Sequence, residues 1–226
     1  MKKIIFVVFN IFVGLAFAQD YSKNKSFVDS KNNSAKQATV KIWDKEPESF
    51  LGIVLGESIS IIDCPTKIIG QYSNKSVLDT EAMKSLPNVC INKADPLYKY
   101  KISEKFITLE NTPDLGIKYT VMVYLDENIA KKITISLDQR NFSVIYDVFQ
   151  NKYGLPTSSL ERAVRSNMGA TFNSKNFTWV GKKISIYMYE RLDTIDKSYV
   201  SIENNLIEQT DAESRHKKLN NESQKF

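Results

Sequence analysis

Between residues 131 and 156 the apolar positions change period once. Ile133, Ile135 and Leu137 alternate with Lys132, Thr134 and Ser136, the period-2 pattern of a strand with one buried face. Phe142, Ile145, Val148 and Phe149 then recur at spacings of three and four, which puts them on one side of a helix over 142–153. Asn141 is the expected N-cap. Gly154 suits the backbone just past the last turn, and Pro156 prevents continuation.

The same reading extends in both directions. Ile117, Tyr119, Val121, Val123 and Leu125 alternate with Lys118, Thr120, Met122 and Tyr124. Asp126-Glu127-Asn128 supplies a bend, so this strand and 132–137 form an antiparallel hairpin with one apolar face. Tyr98 to Leu109 alternates loosely and reads as one strand or two. A strand is expected at Lys67 to Tyr72, and residues 73–97 read as a long loop. Residues 157–168 show no period. Phe177 to Val180, Lys183 to Glu190 and Tyr199 to Glu203 then form a run of strands with short turns, a meander. Residues 206–220 fit an exposed polar helix, and the end of the chain should fray. The two halves do not align as a repeat. The fold expected is α+β: an antiparallel meander sheet, one main helix (142–153) on a face, and a polar C-terminal helix or tail over 206–226.

The N-terminus has a different pattern. Lys2 and Lys3 precede an almost wholly apolar run from Ile4 to Leu15, and Ala16-Phe17-Ala18 follows the small-x-small rule. This is a signal peptide over 1–18 with cleavage between Ala18 and Gln19. The run is short of the roughly 20 apolar residues a spanning helix needs, and no later stretch is long enough. The mature chain is expected to be exported, periplasmic or secreted, and not membrane-spanning. Residues 19–46 are polar and read as a flexible leader with one ordered piece near Trp43. A single domain is expected over 47–205.

Composition changes this picture little. The 226 residues are 42% hydrophobic, enough for a core, and carry a formal charge of +5. Loss of Lys2 and Lys3 leaves +3. The cations are scattered among 26 acids, which argues against nucleic acid as a partner. Cys64 and Cys90 are the two cysteines. In an exported protein they read first as a disulfide, worth about 3.5 kcal/mol on the chain-entropy model.

Phe50-Leu51-Gly52-Ile53 with Gly56, then Cys64-Pro65, then Lys152-Tyr153-Gly154-x-Pro156, then Gly169-Ala170-x-Phe172 and Trp179, form an ordered set. It resembles that of uncharacterised exported bacterial proteins of the domain-of-unknown-function kind, from Phe50 to Glu203. The resemblance implies a bacterial periplasmic or secreted location and a disulfide, and it brings no catalytic residues. In element order the chain is also similar to the β-lactamase-inhibitor-like and PepSY-like folds, small modules that bind other proteins, a likeness of fold alone.

The single histidine, His216, lies in the polar tail. A Ser-His-Asp triad, a Cys-His dyad or a His-ligated metal site in the core is therefore not expected. Carboxylate or Lys chemistry remains open. Asp193 and Asp196, near Glu190, lack the glycine and terminal glutamate of a calcium loop and read as solvated. No catalytic, cofactor-binding or metal-binding residue is assigned. Tyr187, Tyr189 and Tyr199 lie on the outward side of their strands and mark a possible binding face. The function expected is non-enzymatic binding of an envelope or secreted protein. The alternatives are an inhibitor of a secreted or envelope hydrolase, with residues 73–97 or 190–198 as its loop, a carboxylate-based hydrolase, and a small-ligand carrier.

Overall fold

The computed structural model describes residues 43–69, 75–93, 106–166, 168–192 and 194–223. Among these residues ten strands and three α-helices follow in chain order: β1 (Thr66–Ile69), β2 (Lys75–Leu78), α1 (Thr80–Met83), β3 (Cys90–Ile91), β4 (Phe106–Glu110), β5 (Tyr119–Asp126), β6 (Ile129–Asp138), α2 (Phe142–Tyr153), β7 (Ser158–Arg165), β8 (Thr171–Val180), β9 (Ile184–Tyr189), β10 (Lys197–Asn204) and α3 (Asn205–Ser223). β1 and β2 pair antiparallel apart from the main sheet, β1 exposed and Ser76, Val77 and Leu78 of β2 half-buried. The other eight strands form one antiparallel sheet in the order β3-β4-β5-β6-β10-β9-β8-β7. The fold is α+β and mostly sheet.

Two four-stranded meanders compose the sheet. Each starts at an edge and ends at the centre, where β6 and β10 pair antiparallel. The halves are thus a topological repeat, although their sequences do not align. α2 carries the chain from the centre to the far edge.

Alternation explains which face is buried. Val121, Val123, Ile133, Ile135, Ile186, Met188, Val200 and Ile202 all point to one side and are sealed from solvent. α2 lies on that side with Phe142, Ile145, Phe149 and Tyr153 inward. Trp179, fully buried, sits among Phe149 and Tyr146, with ring centroids at 6.3 and 6.5 Å. Its indole N–H donates to the Gly154 carbonyl at 2.9 Å. Burying a side chain of this size is worth about 5 kcal/mol of transfer free energy, so the aromatic seat fixes where the helix lies.

The segment before the first strand belongs to this core. Trp43 and Phe50 are buried. The Trp43 indole N–H donates to the Tyr153 carbonyl at 2.8 Å, and Phe50 packs 6.0 Å from Phe149. Glu46 accepts the backbone N–H groups of Lys182, Lys183 and Ile184. This grip needs Gly181: a Cβ there would lie 2.5 Å from the Ile184 carbonyl oxygen and 2.6 Å from Glu46 Cδ. The ordered piece expected near Trp43 is present, and it is anchored rather than loosely attached. The compact unit holding all described residues is Val40–Phe226.

Several local expectations are corrected. Residues 73–97 carry β2, α1 and β3 rather than a loop. Among the residues whose burial is described, β2 and α1 bury none fully, so no period marks them. Residues 157–168 contain β7, an edge strand mostly exposed on both faces. The first strand is described over Thr66–Ile69, and residues 70–72 of the expected strand lie outside the described residues. Asn141 takes the expected N-cap position of α2, but its side chain makes no cap bond. A 3-10 turn over Gln139–Asn141 precedes α2, and the Asp138 carboxylate caps that turn through the Arg140 N–H. α3 runs further than expected, to Ser223.

The two edges of the sheet differ. At β3 the chain covers its own edge: Ile91 N–H donates to the Ile62 carbonyl and Cys64 N–H to the Ile91 carbonyl, both at 2.9 Å. The Cys64–Cys90 disulfide locks this edge. β7 pairs with β8 alone among the described residues.

Candidate functional site

Register converts the sequence alternation into rows on the face opposite α2. One row runs Tyr124, Lys132, Glu203, Ser185, Val180; the next Met122, Thr134, Ser201, Tyr187, Thr178; the third Ser136, Tyr199, Tyr189, Asn176, Leu160. Tyr199 therefore faces Tyr189 directly, and Tyr187 sits diagonally beside Tyr199. The three tyrosines singled out from sequence form one contiguous, half-buried cluster.

The cluster stands on small and ionic side chains. Ser185, Ser201 and Glu203 are buried. The Glu203 carboxylate accepts from Ser201 Oγ and Lys132 Nζ, each at 2.6 Å. Burial pushes the Tyr189 phenol up to about 12, the negative charge of Glu203 and neighbouring Tyr187 add to this, and Arg162 opposes it. Tyr189 thus keeps its proton and can both donate and accept. α3 crosses one corner of this face: burial raises the Glu208 carboxyl, Glu203 adds to the rise, and Lys132 and Arg215 offset part of it.

Two polar atoms beside Tyr189 are buried without a hydrogen-bond partner among the described residues: Arg162 Nε and Asn176 Oδ1. Asn176 faces Tyr189, and Arg162 faces Ser174 two residues away. A buried unpaired polar group costs about 1–3 kcal/mol. A partner reaching this corner can recover that energy by supplying one acceptor and one donor.

Sequence reading missed the far end of the same face. Phe106 is about half exposed and packs against Tyr124, the rings tilted by 46° with centroids 5.0 Å apart. The loose alternation of 98–109 left its direction unassigned; β4 is described over Phe106–Glu110, and residues 98–105 of that stretch lie outside the described residues.

A second concavity, an open cleft of about 910 Å³, lies between the 112–120 stretch, the end of β6 and Lys197. Arg140 grips Asp138 through Nε at 2.9 Å and Nη2 at 2.8 Å. These bonds and the Arg140 backbone N–H hold the carboxyl well below the usual carboxylate range. Tyr119, raised by burial, donates to the Pro113 carbonyl. Asp138 is thus an ion engaged on both oxygens, the opposite of a base poised near neutral pH.

The other chemistry-bearing residues are distributed elsewhere. Glu190 accepts from Gln139, Arg191 and the Lys175 N–H, so it is committed to the joint between β8 and β9. Asp193 lies outside the described residues, as do Ala18 and Gln19. His216 is exposed on α3. No group of three or more His, Cys, Asp or Glu able to hold a metal ion occurs among the described residues. The space between the 47–55 segment and Ile184 and Ile202 is about 10 Å³. Among the described residues no helix is long and apolar enough to cross a membrane. The disulfide is in keeping with an oxidising compartment. Comparison with protein-family models, curated proteins and solved structures gives no match.

Proposed function

We propose that this is an exported bacterial protein that binds an envelope or secreted protein through the tyrosine face of its sheet, without catalysis of its own. The observation that carries the reading is the contiguity of Tyr187, Tyr189 and Tyr199 on the face opposite α2. Tyrosines offer large amphipathic area at small rotamer cost, and half burial pre-orders them. The unpaired Arg162 Nε and Asn176 Oδ1 support the reading, because contact there recovers hydrogen bonds the isolated chain lacks. The signal-like N-terminus and the disulfide support an exported setting.

The test is a crosslinking capture from the periplasm with tagged residues 19–226, comparing the native chain with Tyr187→Ser/Tyr199→Ser. One dominant captured protein, with affinity for the purified partner reduced roughly 30-fold or more in the variant, is expected for two central aromatic contacts. Equal capture by both chains, with the variant folded by circular dichroism, overturns the assignment of the face. Absence of any specific partner overturns the binding role.

A second reading, inhibition of a secreted or envelope hydrolase, is favoured by the loop after α1. Lys84, Ser85, Pro87 and Asn88 are exposed. Asn111 Nδ2 donates to the Leu86 and Asn88 carbonyls at 3.1 and 2.9 Å, and Cys90 anchors the far end. A loop held this way has little ordering entropy left to lose on binding.

A further inference from the structure

We propose that two copies of the chain pair through β7, edge to edge and antiparallel, about a two-fold axis at Ala163. The inference does not rest on the tyrosine-face reading. It starts from the unequal edges. The β3 edge is two residues long and is capped by residues 62–64 and the disulfide. The β7 edge is eight residues long, contains no proline and pairs in unbroken register with β8. Long uncovered edges are templates for another strand.

The hydrogen-bond phase of β7 is determined by its neighbours. Gly181 N–H donates to the Ile184 carbonyl and Glu190 N–H to the Lys175 carbonyl, so odd-numbered residues of β8 face β9. Even-numbered residues of β8 therefore face β7, as the Ser166 N–H to Ala170 carbonyl bond at 2.8 Å shows at the strand end. It follows that Ser159, Glu161, Ala163 and Arg165 turn their backbone N–H and C=O groups outward.

An antiparallel partner strand must pair with those odd positions. A two-fold axis at Ala163 sets Ala163 against its own copy and Glu161 against Arg165 of the other chain, twice. Both residues are exposed, and neither has an ion-pair partner among the described residues. Arg165 is already extended, with Nε donating to the Gly169 carbonyl at 3.3 Å. On the opposite face Leu160, 64% exposed, comes diagonally against Val164 of the second copy. Shifting the axis to Glu161 instead opposes two glutamates, which is unfavourable. The strand is thus complementary to itself in this register. Such an axis is perpendicular to the sheet, so both tyrosine faces lie on one side of a sixteen-stranded surface. A single strand pair is a small interface, and a concentration-dependent dimer follows.

The test is sedimentation equilibrium of the purified exported chain across the micromolar range, repeated for Ala163→Pro, Glu161→Arg and Arg165→Glu. Ala163→Pro removes only an outward N–H, a position where an edge strand tolerates proline. The native chain is expected to dimerise. Each single variant should weaken self-association by about tenfold or more, through a lost bond or like charges. Mixing Glu161→Arg with Arg165→Glu should restore a heterodimer, because both cross-axis pairs again have opposite charge. This readout shows at the same time that both variants are folded. A native chain monomeric throughout the range overturns the proposal and leaves the edge to a foreign strand. A dimer indifferent to all three substitutions, or no recovery in the mixture, overturns it as well.

Discussion

Tyr153 shows how a single side chain is held by packing against the interest of its polar atom. Its ring lies 5.8 Å from Trp43 and 5.3 Å from Phe149, both edge-on. Its hydroxyl is buried with no hydrogen-bond partner among the described residues, and burial pushes the phenol up to about 12. Tyr153→Phe keeps the ring contacts and removes the unpaired oxygen. Its stability in urea should be unchanged or up to about 1 kcal/mol higher. The pH dependence has a definite sign. The folded-state value lies above the unfolded value near 10, so this contribution is complete below pH 10 and is lost as pH rises through about 12. Melts between pH 9 and 12 should fall more steeply for the native chain than for Tyr153→Phe. Equal slopes would show that another group controls alkaline unfolding.

At the scale of elements, the β5–β6 hairpin and α2 were legible because one face of each is buried. Their apolar residues therefore recur at the period of the backbone. β7 was not legible for the complementary reason: an exposed edge places no demand on its side chains. Asn141 holds the N-cap position without a side-chain bond, and the bond the sequence led one to expect is made three residues earlier, where the Asp138 carboxylate caps a 3-10 turn. The hairpin turn is the weak point of its element. Glu127 and Asn128 have φ of 49° and 66°, the left-handed pair a type I′ turn requires. Asparagine tolerates this, but glutamate does not favour it. Glu127→Asn with Asn128→Gly should raise stability by about 0.5–1 kcal/mol, read from the urea midpoint at constant slope. A drop in midpoint would show that Glu127 makes a compensating contact.

For the whole molecule, the disulfide and the topology decide which parts unfold together. The Cys64–Cys90 bridge closes a separation of 26 residues at the β3 edge. Cys64→Ala/Cys90→Ala should lower the unfolding free energy by about 2–4 kcal/mol. Amide exchange should rise first at Ile91 and Asn92, whose N–H groups bond across that edge to Ile62 and Thr108. Uniform loss of protection across β5, β6, β9 and β10 would instead show that the bridge supports the entire sheet.

The sequence by itself determined the α+β class, the buried side of each well-patterned strand, the position of α2, and the pairing of the only two cysteines. These follow from local periodicity and residue chemistry, which the chain carries without reference to its fold. Tertiary structure alone decided that β6 and β10 meet at the centre, that Tyr199 stands opposite Tyr189, that Glu203 is buried beside Lys132, and that, among the described residues, β7 rather than β3 is the open edge. Period-2 alternation says which residues share a face, but it does not say which strand lies alongside. That choice is made by long-range pairing, here of β10 with β6 on one side and β9 on the other.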